Sequence, residues 1–92
     1  MDEFLINDRI KILREHLGLS RDNFCQETGL KSNQLASIEN KRQKMPAWYI
    51  EKINEIYPEY MYWLATGKEI PEAGQISPMT EETRKSLKLK AG

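Results

Sequence analysis

The stretch that decides the fold is residues 21–40, Arg-Asp-Asn-Phe-Cys-Gln-Glu-Thr-Gly-Leu-Lys-Ser-Asn-Gln-Leu-Ala-Ser-Ile-Glu-Asn. It contains two short helical patterns that meet at Gly29, where a glycine supplies the positive φ that ends one helix and turns the chain. Phe24 lies one turn into the first helix and points toward a core. Leu35 and Ile38, three residues apart, share one face of the second helix. This pattern predicts a helix-turn-helix motif.

The second helix of this motif has a polar face opposite its two apolar residues. Because such a helix enters the DNA major groove, we expect that face to contact base edges. The residues expected to contact bases are Lys31, Ser32, Asn33 and Ser37. A second set carries charge or donor groups outside that face, which suits contacts with the phosphate backbone. The residues expected to contact phosphates are Arg21, Asn40, Lys41, Arg42 and Lys44.

The distribution of charge is compatible with a nucleic-acid partner, although the formal net charge is zero. Residues 21–46 have a net charge of +2, whereas residues 1–20 have −1 and residues 47–72 have −3. Residues 73–92 have +2. Because salt limits the reach of surface charges to about 10 Å, a local positive patch matters more than the total. The alternative is that the positive stretch is an ordinary solvated loop.

Three further stretches make the pattern more specific than a turn glycine between two helices. They are Arg9-Ile10-Lys11-Ile12-Leu13-Arg14, Gly18-Leu19-Ser20-Arg21 and Ser37-Ile38-Glu39-Asn40-Lys41-Arg42. With them, the chain resembles the phage repressor and Cro (XRE-type) family of helix-turn-helix proteins over roughly residues 9–46, and more loosely to about residue 67. The resemblance implies an all-α, lambda-repressor-like compact bundle of about five helices that binds operator DNA, usually as a dimer. It also implies a structural ion pair between Arg14 and Glu39.

The chain departs from the family pattern at three positions. Arg21 stands where the family usually has Gln, but an arginine still reaches a phosphate. Lys31 stands where Ser or Thr usually caps the second helix of the motif, and a lysine cannot accept a backbone N–H bond. We therefore expect Ser32 to cap this helix and to shift its first turn by about one residue. Lys41 replaces a frequent Gly, so we expect the helix to close differently.

The spacing of the apolar residues and the positions of helix-breaking Gly and Pro residues predict five helices in a domain of residues 1–67. We expect the first helix at residues 4–17, and the helices of the motif at residues 21–28 and 32–40. A fourth helix starts near Pro46, which suits a first helical turn, and ends at Tyr57-Pro58. A fifth, at residues 59–65, ends before Gly67.

Residues 68–92 have few apolar side chains and several Pro and Gly residues, which predicts a C-terminal arm that is extended and partly disordered or dimerising. Residues 80–90 have the charge order of a last helix, with acidic residues first and basic residues last. Its apolar face is thin, so such a helix would need a partner. Disorder of this segment in isolation is the alternative.

A homodimer is expected because one recognition helix reads only a few base pairs. The aromatic stretch at residues 57–63 has more large rings than a small bundle needs, and aromatic residues are enriched at interface cores. We therefore expect the interface in the C-terminal third, with Ile70 and Ile76 docking on the neighbour. The alternative is that the rings, including Trp48 and Trp63, complete the monomer core.

Catalysis, metals and cofactors are not expected from this composition. His16 is the only histidine and Cys25 the only cysteine, and a zinc site normally uses three or four such ligands. One cysteine excludes an internal disulfide framework. No apolar run approaches 20 residues and no signal-peptide pattern is present, so we expect a cytoplasmic, membrane-independent protein.

The function expected from these features is sequence-specific transcriptional regulation by a phage-related repressor that binds double-stranded DNA through its third helix. Two alternatives stay open. One is an antitoxin-like protein-interaction module with autoregulatory DNA binding, whose C-terminal arm holds a protein partner. The other is a helical bundle that has lost DNA binding.

Overall fold

The fold is all-α, as predicted, in a computed structural model that describes residues 5–81. Five α-helices lie wholly within these residues: α1 Leu5–His16, α2 Arg21–Thr28, α3 Ser32–Glu39, α4 Ala47–Ile56 and α5 Met61–Thr66. Two 3₁₀ turns, Pro58–Tyr60 and Pro71–Ala73, precede and follow α5. The first residue of the predicted first helix, Phe4, lies outside the described residues.

The turn between α2 and α3 is built by the residues that predicted it. The Ser20 hydroxyl caps α2 by accepting the Asn23 N–H at 3.1 Å. Gly29 ends α2 in the left-handed region, at φ 78°, and its N–H bonds to the Cys25 carbonyl at 2.8 Å. An L-residue in that conformation would be strained, which explains the glycine at this corner.

The N-terminal cap of α3 differs from the prediction, although the helix starts at Ser32, as expected. Lys31 occupies the N-cap position with extended backbone and makes no side-chain cap bond. The Ser32 hydroxyl does not cap the helix either, because it donates its hydrogen bond to the carboxylate of Asp22 on α2. The expected shift of the first turn by one residue is therefore wrong, and α3 begins at Ser32 without a side-chain cap.

A single core joins the five helices. Phe24 of α2 and the two apolar residues of α3, Leu35 and Ile38, are fully buried. Their packing partners on the other helices are Ile10, Leu13, Tyr49, Ile53 and Leu64, all fully buried as well. Burying an aliphatic or aromatic side chain contributes about 1.5–3 kcal/mol, so this cluster holds the helix-turn-helix on its scaffold.

The aromatic stretch completes the monomer core. Tyr60 and Trp63 are buried among the residues of α1, α4 and α5. The Tyr57 ring stacks on Phe24, with centroids 6.2 Å apart. Trp48, by contrast, is half exposed. Within one chain, Tyr60 and Trp63 are thus already covered, and the expected dimer interface cannot use them.

Residues 68–81 are folded against the bundle and do not form the expected extended arm. A tight turn pairs Ile70 with Gln75, and the Ile76 N–H bonds to the Glu59 carbonyl at 2.9 Å. Ser77 is buried, and its N–H bonds to the Glu69 carboxylate at 3.0 Å. Residues 78–81 are helical, two residues earlier than predicted. The rest of that predicted helix lies outside the described residues.

Candidate nucleic-acid interface

The outer side of α3 and its N-cap carry the side chains that are predicted from the sequence to contact DNA bases. Lys31 and Asn33 are exposed, whereas Ser32 and Ser37 are half-buried. Leu35 and Ile38 on the opposite side are fully buried and fix the rotation of the helix about its axis. Because apolar residues cover the inner face, α3 can present only its polar face to a ligand.

A shallow hollow on one side of α3 brings two further amides to this surface. It is lined by Lys31, Asn33, Gln34, Ser37 and Gln43. Gln34 and Gln43 were not among the sequence-predicted site residues. Gln34 directly follows Asn33 on the helix, and that adjacency was the signal that could have identified it. The position of Gln43 depends on how the loop after α3 folds.

A second hollow, of about 680 Å³, lies between the N-terminal ends of α2 and α3. Its lining combines two arginines, one carboxylate, three short polar side chains and one alanine: Arg14, Arg21, Asp22, Ser20, Ser32, Asn33 and Ala36. Ser32 faces Asp22 across this hollow through their hydrogen bond. The structure thus connects Ser32, a predicted base contact, to an acidic residue of α2.

A charge network beneath the surface joins α1, α2 and α3. Arg14 donates to both carboxylate oxygens of Glu39, from Nε at 2.7 Å and from Nη2 at 3.0 Å. Arg21 adds a third bond, from its Nε to Oε1 at 3.0 Å. The Glu39 side chain is 0% exposed, against 12% for Arg14 and 39% for Arg21. The hydrogen bond to Glu39 raises the pKa of the Arg14 guanidinium above its ordinary value.

This network changes the role expected of Arg21. One nitrogen of its guanidinium is used inside the protein, while more than a third of the side chain faces solvent. Arginine carries five donors in a planar fork, so one bond to Glu39 leaves donors for another acceptor. Arg21 can therefore hold a phosphate and the α2–α3 pair at the same time.

The C-terminal end of α3 closes as glycine-ended helices do, although it has no glycine. Lys41 has φ 61°, in the left-handed region. Its N–H bonds to the Ile38 carbonyl at 3.1 Å, and the Arg42 N–H bonds to the Ser37 carbonyl at 2.9 Å. These two bonds form a Schellman motif. The expectation of a different closure is wrong, because Lys41 adopts the conformation in which glycine would be unstrained.

The buried Asn7 of α1 fixes the loop after α3. Its side-chain amide donates to the Ile38 carbonyl at 2.7 Å and to the Gln43 carbonyl at 2.8 Å. The Lys41 ammonium also reaches α1, at 3.1 Å from the carboxylate of Asp8. The exposed residues of this anchored loop are four of the five predicted phosphate contacts: Asn40, Lys41, Arg42 and Lys44.

The predicted base contacts lie on α3 and at its N-cap, and the predicted phosphate contacts flank this helix at both ends. Arg21 stands near the N-terminal end of α3, and the loop residues stand at its C-terminal end. Positive side chains thus lie at both ends of a helix whose outer face is polar.

Among residues 5–81, no group of three or more His, Cys, Asp or Glu side chains has the arrangement of a metal site. None of the helices described here is long and apolar enough to cross a membrane.

Comparison with known proteins finds similarity to a phage protein. No family model matches the sequence, and no curated protein matches it. Among solved structures, the chain is similar to Pf6r from the filamentous phage Pf6 of Pseudomonas aeruginosa PA01. The two are 29% identical, with a TM-score of 0.64 over 79% of this chain and 93% of Pf6r. The similarity supports a relation to a phage protein, while membership of the repressor and Cro family stays a prediction.

Proposed function

We propose that this protein is a sequence-specific DNA-binding transcriptional regulator, a phage-type repressor that inserts α3 into the major groove of its operator. The observation that carries the proposal is the two-sided character of α3. Leu35 and Ile38 are fully buried beneath it, and Lys31 and Asn33 are exposed above it. A short helix anchored in this way can enter a groove without losing its packing on the scaffold.

The flanking charges support the same proposal. Phosphate contacts fix the register and orientation of a protein on the duplex, while base contacts specify the sequence. Arg21 before α3, and Lys41, Arg42 and Lys44 after it, suit the first role. Asn33 suits the second, because an asparagine amide can pair with the N6 and N7 edge of adenine. The similarity to a phage protein supports the proposal that the regulated genes belong to a phage.

A homodimer on a palindromic operator is part of the proposal. One α3 reads only a few base pairs, and two copies related by a two-fold axis would place their recognition helices about 34 Å apart. Tyr60 and Trp63 do not contribute to the contact between copies, because they are buried in the monomer. Sedimentation of the full chain at micromolar concentration, free and with DNA, tests the stoichiometry. A single copy per DNA with a half-site footprint would contradict it.

Selection from a random DNA pool tests the proposed function. The full chain is expected to enrich related sequences that contain an inverted repeat. A matched selection with Asn33→Ala, which changes only an exposed side chain, is expected to lose the preference at one position of each half-site. Sequences recovered at their starting frequency, from a protein with an intact unfolding transition, would contradict DNA recognition.

A further inference from the structure

Among the residues that the structure describes, Asp22 is the one acidic residue that lines the hollow between the N-terminal ends of α2 and α3. It is the second residue of α2 and is exposed. It lines the hollow between the N-terminal ends of α2 and α3 and also a neighbouring hollow that contains Cys25 and Ser32. Its carboxylate accepts the hydroxyl hydrogen of Ser32. The carboxylate is thus held beside the first residue of α3.

The arginines that line the same hollow do not neutralise Asp22 through their Nε atoms. The Nε of Arg14 and the Nε of Arg21 both bond to the buried Glu39. Asp22 therefore lies beside an ion-pair network in which the Nε atoms of both arginines bind Glu39 and not Asp22. A negative charge at this place would weaken binding to phosphates, unless it meets a hydrogen-bond donor on the DNA.

The bases differ in what they offer to a carboxylate in the major groove. Guanine presents two acceptors and thymine presents an acceptor and a methyl group, so both oppose it. Adenine presents one donor beside an acceptor, whereas cytosine presents the N4 amino donor. A carboxylate at a base edge therefore favours cytosine most strongly.

The position of Asp22 makes this contact attainable. The N-terminal residues of a recognition helix are those that reach base edges. Ser32 is the first residue of α3, and the Asp22 carboxylate is one hydrogen bond away from its hydroxyl. The bond to Ser32 uses the Oδ1 atom, which leaves Oδ2 to accept from a base.

We propose that Asp22 is a specificity-determining residue, which accepts a hydrogen bond from the N4 amino group of a cytosine in each half-site. Ser32 is then a positioning residue that orients the carboxylate. This inference rests on the proposed function, since it names the base that the α2–α3 corner reads.

The proposal is tested by measuring the affinity of the protein for the selected site and for variants of that site in which each position in turn carries each of the other bases. The wild-type chain is expected to prefer cytosine at one position of each half-site by about tenfold, within the range of a good base contact. Asp22→Ala is expected to abolish that preference while keeping the preferences at other positions. Ser32→Ala is expected to weaken the preference at the same position.

Controls separate base recognition from a general effect of charge. Glu51→Gln removes a negative charge from the exposed face of α4 and is expected to leave every base preference unchanged. The unfolding midpoint of each variant establishes that it is folded, and Asp22→Asn provides a second variant that keeps the size of the side chain. A uniform gain of affinity for all sites by Asp22→Ala and Asp22→Asn would overturn the proposal and identify Asp22 as a repulsive charge.

The failure of the inference can be distinguished from the failure of the proposed function. If the wild-type chain selects a site and the Asp22 variants keep all its base preferences, only the role of Asp22 is wrong. If the folded wild-type chain selects no site, both proposals are wrong.

Discussion

Arg14 and Glu39 form a two-bond ion pair between α1 and α3, with nitrogen–oxygen distances of 2.7 and 3.0 Å. The Glu39 side chain is completely removed from solvent. Since a buried carboxylate loses its hydration, it depends on the guanidinium groups around it. The pair therefore holds the C-terminal end of α3 against α1, and with it the orientation of the candidate recognition helix.

Arg14→Met is expected to lower the free energy of unfolding by about 3–5 kcal/mol, because it removes a partner of a buried charge. The matched control is Arg21→Met, which removes the more exposed partner and is expected to cost about 0–1 kcal/mol. Urea unfolding of the three proteins measures both values. Equal, small changes in the two midpoints would show that Glu39 does not need Arg14.

Leu35→Ala is expected to destabilise the fold by about 2–5 kcal/mol, because it leaves a cavity under α3. Asn33→Ala, two residues earlier on the exposed face, is expected to change stability by less than about 0.5 kcal/mol. Thermal or chemical unfolding of both variants compares the two faces of α3 directly. Similar losses in the two variants would mean that the rotation of α3 described above is wrong.

Lys41 combines a strained backbone with a proposed phosphate contact, so two substitutions separate its roles. Lys41→Gly is expected to be more stable than Lys41→Ala by about 1 kcal/mol, because only glycine relieves the left-handed conformation. Both variants are expected to weaken binding to all DNA sequences alike and to reduce the salt slope by about one per subunit. Equal stability of the two variants, or a changed sequence preference, would contradict this assignment.

The segment at residues 68–81 is predicted to stabilise the domain. Ile76 packs against the core while remaining half-exposed. Ile76→Ala is therefore expected to cost about 1–2 kcal/mol, less than the same change at a fully buried site. Ile70→Ala provides a control at a residue of this segment that is outside the core cluster. If the unfolding midpoint is the same for wild type and Ile76→Ala, the segment does not contribute to stability.

The sequence predicted the helix-turn-helix well because its signals are local. Ser20 and Gly29 each act on the helix beside them, so the bounds of α2 follow from two residues. The cap of α3 was mispredicted because the Ser32 hydroxyl bonds to Asp22, ten residues away, and not to its own helix. That choice depends on how closely α2 approaches α3, which periodicity does not express.

The extended course predicted for residues 68–81 is wrong for a related physical reason. Its composition is polar, and it is held by a few specific bonds and the packing of Ile76 rather than by a periodic apolar face. The Glu69 carboxylate accepts from both the Ser77 N–H and the Thr80 hydroxyl, and Tyr60 bonds to Glu81. Such contacts leave no periodic pattern. The third hydrogen bond to Glu39, from Arg21, escaped prediction in the same way.

The measurement that most directly tests the central claim is the affinity of the full chain for its selected site against a shuffled site of the same composition. Binding curves should be recorded for wild type and Asn33→Ala at several salt concentrations. We predict that wild type prefers the selected site, that Asn33→Ala loses about 1–3 kcal/mol of that preference, and that both keep the same salt slope. Equal affinity of wild type for the two DNAs would contradict recognition of sequence through α3.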